Sequence, residues 1–227
     1  MVGTWREKAH EICNLWSINI AWTLWGKRVL VLPNELTAAS GAEVIVQLEM
    51  LLAQNSKPIL LICDGSGGEP MASIQLAAYI RTCPALVVTM VWQEASSAAV
   101  LVFAAGHYRV MHVKARLGFH GYRLRVYGKP DEYGPDVEAR MGDELSSELI
   151  EHLHRQNELF HDYLANLAGQ RIPEELFGRD IVFLRRRQSY RLGLVDEAFL
   201  KPPVEVWVKT QMRARKHMAR AYENAEA

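Results

Sequence analysis

A small set of residues in this chain could carry chemistry. Ser96 and Ser97 stand side by side where a β-branched apolar run, Ala85 to Trp92, gives way to a small-residue apolar run, Ala98 to Ala105. The first run reads as a buried strand and the second as a buried helix. A serine at such a junction sits at the positive end of a helix, among backbone N–H groups that lack intrahelical partners. That setting suits a nucleophile whose attack generates an oxyanion. It suits a plain N-cap equally well. A nucleophilic serine needs a base for its proton. His120, which closes the run Arg116-Leu117-Gly118-Phe119-His120, stands at a strand end where a neutral imidazole could act. The imidazole in turn needs a carboxylate to orient it. Asp180 just precedes a short apolar strand and is the first candidate, with Asp64 and Asp196 as rivals.

A second feature is the loop Asp64-Gly65-Ser66-Gly67-Gly68-Glu69-Pro70. It is neither a dinucleotide fingerprint nor a Walker loop, because G-x-G-x-x-G and G-K-[ST] are both absent. Its backbone N–H groups, lying between a strand and a helix, could instead face a ligand oxygen. The other histidines show no H-E-x-x-H and no metal spacing, and Cys13, Cys63 and Cys83 are scattered without a C-x-x-C. Neither a metal, a cofactor nor a disulfide framework is expected.

The elements that must position these residues alternate. Arg28 to Leu32 reads as a strand and Thr37 to Ala53 as a helix with Val44, Ile45, Leu48, Leu51 and Leu52 on one face. Ile59 to Cys63 is a second strand, and a helix follows the Gly-rich loop from Met71 to Arg81, stopped before Pro84. After the serines come two short strands, Tyr108 to His112 and Arg116 to His120, then a turn-rich loop over 128–135. Asp136 to Ala168 reads as one long amphipathic helix, with Val137, Met141, Leu145, Leu149 and Leu153 stepping by four. A short strand, Ile181 to Leu184, and an apolar turn through Gly193 complete the pattern. Alternating strands and helices argue for a layered α/β fold.

Composition bounds the rest. Hydrophobic residues make up 49% and charged residues 23%, the range of a globular protein. Net charge is +0 and the pI about 7.1, so nothing global points to nucleic acid or a membrane surface. The Trp-rich segment 1–27 is interrupted by polar residues and fails as a signal peptide or a membrane span, which makes the cytoplasm the expected compartment. Its tryptophans read as core, with an oligomer contact as the alternative. Residues 201–227 form an extension with a basic helical tail.

Together these pieces resemble the proteolytic subunit of the Clp protease, a family of serine peptidases, over roughly Arg28 to Leu200. Asp64-Gly65-Ser66-Gly67-Gly68 is similar to its N-S-P-G-G-type loop, and Gln93-Glu94-Ala95-Ser96-Ser97-Ala98-Ala99 to its Q-A-A-S-M-G/A-A. Ala115 to His120 resembles S-R-V-M-I-H, Ala168-Gly169-Gln170 resembles T-G-Q, and Gly193-Leu194-Val195-Asp196 resembles the terminal G-L-V-D. The resemblance places the nucleophile on Ser97 rather than Ser96, the base on His120, and the oxyanion donors on the N–H groups of Gly68 and Ala98. Counting from Gly169 puts the family's acid on Gly178, and counting back from Phe183-Leu184 puts it on Phe177. Asp180 takes the role if the loop has shifted by two or three residues.

The resemblance also implies a crotonase-like spiral of βαβ units with a long protruding handle helix, here Asp136 to Ala168. It implies a ring-forming homo-oligomer, alone or with a paralogue, that receives unfolded polypeptides from an AAA+ unfoldase. A catalytically degenerate ring subunit and a crotonase-type acyl-CoA enzyme are the alternatives.

Overall fold

The run Val87-Val88-Thr89-Met90-Val91 shows why the centre of this fold is a sheet covered on both faces. Side chains alternate along a strand. Val87 and Val91 join one apolar cluster, Val88 and Met90 join another, and all five residues are buried. The computed structural model describes residues 28–126, 137–140 and 147–200. In chain order the elements are β1 (Val29–Val31), β2 (Glu35–Leu36), α1 (Ala38–Gln54), β3 (Ile59–Ile62), β4 (Gly67–Gly68) and α2 (Pro70–Thr82). Then follow β5 (Val87–Val91), β6 (Glu94–Ser96), α3 (Ala98–Ala104), β7 (Tyr108–His112) and β8 (Arg116–Phe119). The remainder is β9 (Arg123–Val126), β10 (Val137–Arg140), α4 (Ser147–Ala168), a 3-10 turn (Glu174–Phe177), β11 (Val182–Arg185), α5 (Arg186–Arg191) and β12 (Glu197–Phe199).

Strands β1, β3, β5, β7 and β12 form a parallel sheet in the order β1-β3-β5-β7-β12. One face packs against the helices through Leu48, Leu51, Leu76, Ile80 and the whole of α3. The other face gathers Val29, Leu60, Val88, Met90 and Val110, with Trp92 stacked on Phe199 at 5.6 Å between ring centroids. Helix α1 is fixed at both ends. Thr37 and Ser40 make a reciprocal capping box at its start. At its end the Arg28 guanidinium donates to the carbonyls of Leu51 (2.8 Å), Asn55 (3.0 Å) and Lys57 (2.9 Å), tying the helix end and the turn after it to β1.

A smaller sheet, ordered β11-β8-β6, stands beside the first. Strand β6 runs parallel to β8, and β11 antiparallel. This sheet carries the two serines and the histidine.

Two expectations need correction. Of the helix read over Asp136 to Ala168, Ser147–Ala168 is helical, and Val137–Arg140 is instead a strand paired antiparallel with Arg123–Val126. A stretch in which apolar and polar residues alternate (Val137, Glu138, Ala139, Arg140) satisfies a two-residue period, and ladder pairing with β9 prevails over helical spacing. In addition, the apolar turn read over Ser189 to Asp196 is preceded and overlapped by helix α5 (Arg186–Arg191), and Glu197–Phe199 joins the main sheet as its last strand. The segments 1–27 and 201–227, and the loop 128–135, lie outside the described residues.

Candidate active site

The site is built by a corner in the chain. After β5 the backbone leaves the main sheet at Trp92-Gln93 and enters the small one as β6. The Asp64 carboxylate holds that corner: its Oδ1 accepts the N–H groups of Trp92 (2.9 Å), Gln93 (2.8 Å) and Glu94 (3.2 Å). Burial pushes the Asp64 carboxyl above the usual carboxylate range, and the N–H bonds pull it partly back. The Gly-rich loop is laced to the same strand, since Gly65 N donates to Glu94 O and Ser96 N to Gly65 O, each at 2.9 Å. Asp64 is thereby spent on architecture. So is Asp196, which grips the Arg109 guanidinium in a two-pronged ion pair at 2.7 and 2.8 Å and also accepts the Arg109 N–H. Neither rival carboxylate is free to orient His120.

Ser97 stands between β6 and α3, with φ +53° and ψ −127°. Positive φ in a residue with a Cβ is strained, and such strain gathers at functional sites. A strand, a strained serine and a helix in succession is the arrangement that presents a nucleophile at the head of a helix. Ser97 occupies the N-cap position, yet its side chain makes no capping bond. The cap reading does not describe it. Ser96 is different: it is buried, and its hydroxyl donates to Glu94 Oε1 at 2.9 Å, while Glu94 Oε2 holds Arg116. The two serines have separate tasks, and the Ser97 hydroxyl is the uncommitted one.

The backbone around Ser97 is crowded in a way that only glycine permits. A Cβ on Gly67 would lie 2.7 Å from the Ser97 Cβ and 2.9 Å from the Ala98 nitrogen, and Gly67 has φ +106°. Gly68, at φ +136°, would drive a Cβ to 2.1 Å from the Leu36 oxygen. The two glycines bring the loop against the first turn of α3, where the Ala98 N–H is one of the donors that a helix cannot satisfy internally. The sequence pointed to Gly68 and Ala98; the packing of Gly67 over the Ala98 nitrogen is visible only in three dimensions.

His120 directly follows β8. The parallel register Ser96↔Gly118, prolonged by Ser97 N donating to Gly118 O at 2.8 Å, carries Ser97 and His120 to the same end of adjacent strands. The imidazole Nδ1 lies 2.6 Å from the carbonyl oxygen of Gly121. Asp180 sits on the exposed turn 178–180, and none of the hydrogen bonds among the described residues joins it to His120. Phe177, where counting back along the family pattern puts the acid, is an aromatic packed edge-on against Phe119, Phe160 and His161. Backbone pairing nevertheless ties this segment to the histidine strand, because Gly121 N donates to Gly178 O at 2.7 Å.

Among the described residues no group of three or more His, Cys, Asp and Glu could hold a metal ion, and no helix is long and apolar enough to cross a membrane.

Parallel sheets, intervening helices and a serine lifted at a strand-to-helix corner define a mixed α/β protein, consistent with the fold shared by Clp proteases and crotonases. The Clp protease family matches residues 14–199, most of the chain, and the chain belongs to that family. The match begins at residue 14, ahead of Arg28, where the resemblance read from the sequence starts. None of the curated proteins compared with the chain matches it.

Proposed function

We propose that this protein is a serine endopeptidase subunit that cleaves unfolded polypeptides. The observation that carries the reading is Ser97: strained, at a helix N-terminus, uncapped, and packed closely against Gly67, where a Cβ would lie 2.7 Å from its own. Ser97 Oγ attacks the scissile carbonyl carbon as its proton passes to His120 Nε2. The N–H groups of Gly68 and Ala98 receive the oxyanion. The proton then moves from Nε2 to the departing amine nitrogen as the C–N bond breaks, and water repeats the cycle on the acyl-enzyme. Asp180, the carboxylate that the resemblance allows as the orienting acid, is exposed on the bend 178–180. No cofactor takes part.

Family membership supports a ring of such subunits, alone or with a paralogue, fed by an AAA+ unfoldase in the cytoplasm. Helix α4 is the candidate handle, standing directly before Gly169-Gln170 as in the family pattern.

A second reading, a subunit that builds the ring without cleaving, draws on Phe177 and Gly178, the two positions to which the family's acid counts, neither of them a carboxylate. Hydrolysis of a fluorogenic peptide by the assembled protein separates the two. The peptidase reading predicts activity that falls by about 10³-fold or more in Ser97→Ala. Equal rates for the two proteins refute it.

A further inference from the structure

The imidazole of His120 meets a backbone carbonyl. Its Nδ1 is 2.6 Å from the Gly121 carbonyl oxygen. A carbonyl oxygen can only accept, so Nδ1 carries the hydrogen that points to it. This is the tautomer a general base needs, and in a Ser-His-Asp site a carboxylate enforces it.

The carbonyl is itself held. The Gly121 C=O and the Tyr122 N–H belong to one planar peptide and point to opposite sides of it. The Tyr122 N–H donates to Asn157 Oδ1 at 2.5 Å, from the helix α4 side. One residue earlier, the Gly121 N–H donates to Gly178 O at 2.7 Å. A Cβ on residue 121 would come within 2.5 Å of the Phe177 oxygen, so glycine is what lets these two backbones close. The peptide is gripped from one side by Asn157 and presents its oxygen to His120 on the other. An amide N–H that is hydrogen-bonded also makes its own carbonyl a stronger acceptor.

We infer that Asn157 is a positioning residue for His120, acting through the Gly121–Tyr122 peptide, and that this peptide does the work a triad carboxylate would do. The inference rests on the peptidase reading for its consequence in catalysis, but the tautomer exists whether or not the site cleaves.

Two measurements on the full chain test it together. The first is the rate at which a fluorophosphonate labels Ser97 in the wild type and in Asn157→Asp, Asn157→Leu and Asp180→Asn. The second is the His120 tautomer, read from solid-state ¹⁵N spectra of histidine-labelled protein and assigned with His120→Gln. Asn157→Asp keeps an acceptor and labels within about threefold of wild type, whereas Asn157→Leu slows by about tenfold or more, the scale of losing an orienting partner. Asp180→Asn, a change that costs about 10⁴-fold when the aspartate orients the base, stays within about threefold. The Nδ1–H signal persists in wild type, Asn157→Asp and Asp180→Asn, and weakens in Asn157→Leu. An Nε2–H tautomer in the wild type overturns the inference, as does a large loss in Asp180→Asn or none in Asn157→Leu. An unlabelled wild type that still shows the Nδ1–H signal, lost only in Asn157→Leu, sinks the peptidase reading and leaves the inference standing.

Discussion

Replacing Ser97 by glycine should make this protein more stable while removing the proposed nucleophile. The backbone at Ser97, φ +53° and ψ −127°, lies outside the regions open to residues with a Cβ. Strain of this kind costs about 1–3 kcal/mol, and glycine relieves it. Against that, glycine gains freedom in the unfolded chain worth about 0.4–1 kcal/mol. The hydroxyl makes no capping bond, so its loss removes no cap from α3. The net is a stabilisation of about 0.5–2 kcal/mol, or a rise of a few degrees in Tm at about 2–4 °C per kcal/mol for a chain of this size. Ser97→Ala is the control, because alanine keeps the Cβ and the strain and should unfold close to the wild type. Urea unfolding of the three proteins at one protein concentration reads the difference, since association adds concentration-dependent stability. Ser97→Gly falling at or below Ser97→Ala would refute the claim that strain is stored at the nucleophile.

Three further outcomes follow from the same geometry. Asp64→Ala strands three N–H groups at the corner and should cost about 3 kcal/mol or more, whereas Asp64→Asn retains the accepting oxygen and should cost about 1 kcal/mol; equal losses in urea unfolding would argue against the bracket. Gly67→Ala forces a Cβ to 2.9 Å from the Ala98 nitrogen and should lower peptide hydrolysis by about 10²-fold or more, as losing an oxyanion donor does, so a wild-type rate would count against Ala98. His107 is held neutral, chiefly by burial and then by the Arg81 charge, and its Nδ1 accepts the Val87 N–H at 3.1 Å. Its folded pKa is lowered, so the unfolded chain binds the proton first: the contribution is intact above about pH 6.5 and is lost as pH falls from there toward the folded pKa. Urea midpoints for wild type and His107→Gln should converge below that pH, and parallel profiles would reject the assignment.

How much of this was legible in the sequence depends on the range of the interaction. Strands such as Val87–Val91 and the stripe on α1 announced themselves, because apolar periodicity reports burial directly. The short strand Glu94–Ser96 did not, since three residues with a charge and a hydroxyl become a strand only when β8 lies beside them. The alternation at Val137–Arg140 was masked by the four-residue spacing of Val137 and Met141 within a longer helical pattern. Ser97 and His120 could be proposed from residue type and position, but the physical reason for choosing Ser97 over Ser96, the bond from Ser96 to Glu94 two residues back, depends on a side-chain geometry that residue types do not show. Asp64 and Asp196 looked like catalytic carboxylates because sequence shows a charge and not its partners. Asn157 gave no signal at all: its role exists only where α4 crosses the strand after His120.

The claim at the centre of the account is that Ser97 is an activated nucleophile. Treating the assembled full-length protein with a fluorophosphonate and mapping the adduct by mass spectrometry tests it most directly. The adduct should form on Ser97, spare Ser96, and disappear in His120→Ala. An assembled protein that carries no adduct on Ser97 contradicts it.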